Sequence, residues 1–229
     1  KEEKPSAEGG AATKKDSSQP SAYQLPVLLV NALSIENATF TYVDKFVNPP
    51  MNVVIPKMDL KIMNFSLFRP ADLSFAAAVL SEAQNLKVNG KLQIDPKNHQ
   101  GRVDDVKINF DLAQVQLPRV AEISSAFESV NMIDELRGQF QGEVSQLVFG
   151  MNGIITLDAS GDLKNGFVRV SEYLTQPVED IKAAFEMTEA DCNINNFSLL
   201  IGSGSVSGSG RINDYLKTQD YQFKVEAKN

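Results

Sequence analysis

One cysteine, one histidine and no tryptophan in 229 residues remove several functional classes at once. The single thiol, Cys192, closes no intrachain disulfide, and with His99 as the only imidazole there is no Cys/His set to hold zinc. His99 stands in "DPKNHQGR", a Pro/Asn/Gly-rich connection where a solvated side chain is expected rather than a catalytic base. Asp and Glu are scattered along polar positions with no histidine partner, so an enzyme is not expected, and no metal or cofactor is implied. Without tryptophan, one common membrane-interface anchor is missing. Long apolar runs are missing too. Runs such as Val27–Val30 fall far short of the ~20 residues that cross a bilayer, so a membrane anchor would have to lie outside this segment. The chain opens on Lys1 and is read as part of a longer protein or as a mature fragment. Its formal net charge of −7 opposes binding to nucleic acid and disfavours a purely electrostatic hold on anionic membranes.

What the sequence does contain is alternation. Residues 1–22 carry Lys, Glu, Ser, Gly, Pro and Ala but no large apolar side chain, so they are expected to form a flexible linker. From 23 to 229 a single β domain is expected. In "NLKVNGKLQID", Leu86, Val88, Leu92 and Ile94 share one parity while lysine, asparagine and glutamine hold the other. In "DVKINFDL", Val106, Ile108, Phe110 and Leu112 do the same, and the turn between the two stretches makes them a hairpin with one apolar face. One stretch breaks the period. Val120, Ile123, Phe127, Val130, Ile133 and Leu136 recur at steps of three and four, which predicts one amphipathic helix over 119–136, closed by Gly138.

The tetrapeptide "NFSL" stands at Asn64–Leu67 and again at Asn196–Leu199, with Leu60 and Ile62 upstream of the first and Cys192 and Ile194 at the same distance upstream of the second. In both places the apolar parity slips, to Phe65 and Leu67 in one and to Phe197 and Leu199 in the other. A β-bulge is therefore predicted at Met63–Asn64 and at Asn195–Asn196. "IENA" at Ile35–Ala38 parallels "LKNG" at Leu163–Gly166, and "GKL" at Gly90–Leu92 parallels "GRI" at Gly210–Ile212. These matches predict two related β units, at 31–117 and 138–229, flanking the helix. "GSGSVSGSG" at Gly202–Gly210 lacks the Lys-Ser/Thr ending of a phosphate loop and reads as a strand where backbones approach closely.

Taken in order, "LSIENATFTYVD", "MDLKIMNFSL", "LSFAAAVLSEAQNLKVNGKLQID" and "DDVKINFDLAQVQLPRV" resemble the AsmA-like family of bacterial envelope proteins. The stretch from "GIITLDASGDLKNGFVRVSEYLTQPVED" to "SGSGRI" looks like the C-terminal unit of the same family. The resemblance covers 31–229 and implies a mainly β fold: a curved antiparallel sheet forming an open groove, or half-pipe. It further implies a periplasmic location, an inner-membrane anchor outside this segment, and phospholipid or another acyl-chain ligand moving between the membranes. Outer-membrane assembly proteins would be possible partners. The groove lining would then be Phe65, Leu67, Leu86, Val88, Leu92, Ile94, Val106, Ile108, Phe110, Leu112, Phe197 and Leu199. From alternation alone the other solution is a closed β-sandwich, an adhesin-like structural or protein-interaction domain, in which these residues are ordinary core.

Overall fold

The structure is a computed structural model that describes residues 29–67, 69–215 and 220–229. The linker expected at 1–22 lies outside the described residues. The first half holds β1 (Leu29–Asp44), β2 (Met51–Ser66), β3 (Ala71–Ala77), β4 (Leu86–Asp95) and β5 (Gln100–Asp111). A helical segment follows, and then come β6 (Glu135–Gly150), β7 (Gly153–Arg169), β8 (Val178–Thr188), β9 (Cys192–Ile201), β10 (Gly204–Asn213) and β11 (Asp220–Lys228). All eleven strands form one sheet in chain order, every neighbouring pair antiparallel. The sheet is open rather than closed into a barrel, and apart from the helical segment no second layer packs across it among the described residues. Period-two patterning with short turn-rich links dictates such a meander, because each strand finds its partner at minimal loop-closure cost. The turn after β4 shows the chemistry. Asp95 accepts hydrogen bonds from the backbone N–H groups of Lys97 and Asn98 (3.0 and 3.2 Å), and His99 takes a left-handed φ of 52°.

The continuous helix expected over 119–136 does not form. An α-helix, α1 (Leu117–Ile123), begins with a proline in its first turn and ends at Ser124, which is extended (φ −164°, ψ 147°). The Ser124 hydroxyl accepts from the Ala126 N–H (3.4 Å), turning the chain into a 3-10 stretch over Ser125–Met132. A serine that bonds its own neighbouring backbone competes with helix propagation, and Ser124 interrupts it here. Leu136 and Gly138 belong to β6, where Gly138 has φ 153°, and not to a helix end.

The helical segment is pinned at one end of the strands. The Gln116 N–H donates to the Leu80 carbonyl (2.7 Å) and the Arg119 guanidinium to the Ser81 carbonyl (3.0 Å). Asn85, buried, holds the same corner: its side chain accepts from the Val79 N–H and donates to the carbonyls of Val79 and Asp111. Ala77 and Ala78 are fully buried beside it.

The bulge expected at Asn195–Asn196 is present. Ala184 pairs with Asn196 but Phe185 with Ile194, and β10 shows the same one-residue excess in β9. At Met63–Asn64 the register does not shift. The β1–β2 ladder runs unbroken from Ile35–Leu60 to Leu29–Ser66, and Asn64 instead adopts φ 58° within it. The two NFSL copies fall on strands with different places in the meander, the end of β2 and the middle of β9. IENA and LKNG correspond more closely. The β1–β2 ladder shifts between Ile35 and Ala38 and again before Phe40, the β7–β8 ladder between Leu163 and Gly166 and again before Val168. Asn37 and Asn165 share a φ of 52° at those shifts.

Candidate functional site

Directly opposed residues in a sheet lie on the same face, so the ladders can be followed as rows from strand to strand. One row starts at Ile35 and passes through Leu60, Phe75, Val88 and Ile108. It continues through Gly142 and Gly161 to Phe185 and Ile194, and ends at Gly210 and Phe223. It crosses all eleven strands without a polar side chain. One residue along, the row through Lys61, Ser74, Asn89 and Lys107 reaches Glu143, Ser160 and Arg211 without an apolar one. The sheet therefore has one apolar and one polar face, as an antiparallel sheet solvated on one side requires.

At several glycines of the apolar face, a phenylalanine leans over the gap. A β-carbon at Gly161 would come within 2.5 Å of the Phe185 ring and 3.0 Å of the Phe140 ring, and one at Gly208 within 2.7 Å of the Phe197 ring. Phe149 covers Gly101 and Phe223 covers Gly210 in the same manner. Phe140 and Phe185 are themselves stacked, with centroids 5.8 Å apart and planes at 10°. Rings lying across glycines fill the missing side-chain volume while keeping the face low.

The described residues do not seal this face. Among the described residues only Ala71, Ala77, Ala78, Val106 and Phe167 are buried apolar side chains, so most of the large apolar residues remain in contact with solvent. At the two edge strands the exposure is largest: Leu33 is 49% exposed and Phe223 53%.

Most of the residues expected to line a groove share this face. Leu86, Val88, Leu92 and Ile94 on β4 stand beside Phe110, Ile108, Val103 and Gly101 of β5, and Val106 joins them beyond the Asp105 bulge. Phe197 and Leu199 lie on β9 beside Gly208 and Val206. Leu112 sits just past β5 in a 3-10 turn at the margin, its side chain over Gly138. Phe65 and Leu67 are not brought in: Phe65 pairs with Val30, in the parity of Lys61 and Met63, and Leu67 lies in the turn beyond β2. Phe75, Phe140, Phe185 and Phe223 were missed. The signal for Phe140 was the Gly138–Phe140–Gly142 alternation, which the over-long helix expectation hid.

The polar face carries exposed ion pairs such as Lys91–Asp105 (3.0 Å) and Arg102–Asp104 (2.7 Å), each worth little in water. Phe167 is buried on this side under the Arg137 guanidinium, 4.1 Å from its ring centroid, with Arg169 at 5.7 Å. The Asn37 N–H (2.6 Å) and the Gln84 amide (2.7 Å) donate to Asp59 and hold its carboxyl below the usual range. Ser171 does the same for Asp134, with Arg169 adding charge. Burial pushes the Cys192 thiol up. Among the described residues no cluster of three or more His, Cys, Asp or Glu side chains could hold a metal, and no helix is long and apolar enough to cross a membrane. Comparison of the chain with protein-family models, characterised proteins and solved structures gives no significant match.

Proposed function

We propose that the apolar face binds acyl chains, and that the chain is a groove-forming segment of an AsmA-like envelope protein that conducts phospholipid between the inner and outer membranes. One observation carries the reading: an unbroken apolar row crosses every strand, and among the described residues no protein layer covers it. Ten interstrand spacings of ~4.8 Å make the row about 50 Å long. The hydrocarbon of one leaflet is only ~15 Å deep. Several chains therefore fit end to end. At ~0.8 kcal/mol per buried methylene, a dozen methylenes contribute on the order of 10 kcal/mol, so no polar recognition site is required for retention. In this reading the protein is periplasmic, holds to the inner membrane through a segment other than this one, does no chemistry, and meets outer-membrane assembly proteins at its far end.

Native mass spectrometry of the purified chain tests the proposal. The wild type should carry phospholipid. Leu92→Asp, which places a carboxylate in the row with Ala71, Val103 and Leu147, should lose it. Phe65→Asp, in the other parity, should keep it. A wild-type protein free of lipid, or equal retention by both variants, would overturn the reading.

A further inference from the structure

The two halves of the sheet pair their strands alike. Across β1–β5 the partners run Ile35, Leu60, Phe75, Val88, Ile108, and across β7–β11 they run Leu163, Ala183, Phe197, Gly208, Val225. One step toward the helical end, Ala77–Leu86–Phe110 has its counterpart in Leu199–Val206–Ala227. The paired register shifts and the left-handed Asn37 and Asn165 fall at the same places in this scheme. By register, then, β11 holds the place of β5.

The far edge of β5 is occupied: β6 pairs along it from Asp111–Gln139 to Gln100–Gly150. The equivalent edge of β11 carries no strand among the described residues. The exposures follow. Val106 on β5 is 7% exposed, while Phe223, its counterpart on β11, is 53% exposed and Val225 58%.

We propose that the edge of β11 is a strand-docking site for one antiparallel polypeptide segment patterned like β6, with apolar residues or glycine at alternate positions on the side of Phe223 and Val225. Backbone hydrogen bonds along the edge would supply affinity, and the alternating apolar contacts would set register. A second copy joined head to tail fits less well. With an odd number of antiparallel strands, β1 and β11 run in the same direction, so the joint would pair parallel strands if the apolar faces are to stay on one side. One interposed strand restores the alternation, as β6 does between β5 and β7. The proposal is confined to β11, because β1 continues into residues outside the described set. It stands on register alone and does not depend on lipid binding.

The test adds a synthetic peptide of the β6 sequence, Glu135–Gly150, to the full chain and follows amide hydrogen exchange by mass spectrometry. Exchange over 220–228 should slow at least tenfold, in a one-to-one complex by light scattering. A peptide of the same composition with its alternation scrambled should have no effect. Phe223→Asp should abolish the protection while exchange in β9 stays as in the wild type, showing that the fold persists. Unchanged exchange in 220–228, equal protection by the scrambled peptide, or a peptide-free dimer already protecting β11 would each overturn the assignment.

Discussion

Phe185 and Gly161 are opposed partners on β8 and β7, and the phenylalanine ring occupies the space that a side chain at 161 would need. A ring cannot lean across the sheet unless its neighbour has no β-carbon. The sequence of small and aromatic residues here is thus one feature seen from two strands.

Gly161→Ala should therefore force the Phe185 and Phe140 rings upward, since its β-carbon would lie 2.5 and 3.0 Å from them. Overpacking of this kind costs about 1–3 kcal/mol. A urea midpoint lowered accordingly, with Gly204→Ala as the control whose nearest neighbours lie at 3.4 Å or more, checks it. An unchanged midpoint in Gly161→Ala would show that the rings have room.

Asn37 and Asn165 both occupy the left-handed region at φ 52°. Asn37→Ala and Asn165→Ala should each destabilise by about 1 kcal/mol, because alanine keeps the crowded β-carbon but loses the short polar side chain that supports this conformation, while Asn→Gly, which removes the β-carbon as well, should be close to neutral. Thermal melts of the four variants give the comparison. Equal losses in the alanine and glycine variants would assign the cost to the asparagine side chain instead.

Buried Asn85 satisfies the Val79 N–H and two carbonyls at the corner that anchors the helical segment. Asn85→Ala strands these groups without partners, at about 1–3 kcal/mol for a buried unsatisfied group. The loss should show in denaturant unfolding and as faster hydrogen exchange in α1, which packs through Gln116 and Arg119 on the same loop. Loss of stability without faster exchange in α1 would separate the corner from the helix.

Asp59 and Asp134 titrate below the usual carboxylate range because donors favour their charged forms. A depressed folded-state pKa stabilises the protein above the unfolded-state value, near pH 4, and that contribution disappears as pH falls through the folded-state value. Stability should thus be level above about pH 5 and decline below pH 4. Asp59→Asn should shallow that decline without changing its direction. Urea midpoints between pH 2.5 and 6 measure it, and a slope identical to wild type would remove Asp59 from the account.

Particular elements show why the fold was more legible than the site. Alternation at Leu86–Ile94 and Val106–Phe110, with a Pro/Asn/Gly turn between, could form little other than a hairpin, and did. The same local reading failed at 119–136, where a three- and four-residue apolar spacing was real but Ser124 bonded the backbone locally and stopped the helix. It failed again at Phe65. A parity slip can be absorbed by an extra residue, as at Asn195, or left standing in unbroken register, as at Asn64, where Phe65 stays in the parity of Lys61, and the two leave identical traces in the sequence.

Hydrophobic periodicity is a property of neighbours along the chain, so the sequence by itself determined that this protein is built of two-faced antiparallel strands. Whether eleven such strands would fold onto each other or stay side by side depended on contacts between residues far apart. Only the tertiary structure decided that they remain one open sheet, with Gly142 opposite Gly161 and Phe185 laid across it. The cross-strand partner of each residue is set by turn lengths and bulges accumulated over the whole sheet, and no local pattern encodes that sum.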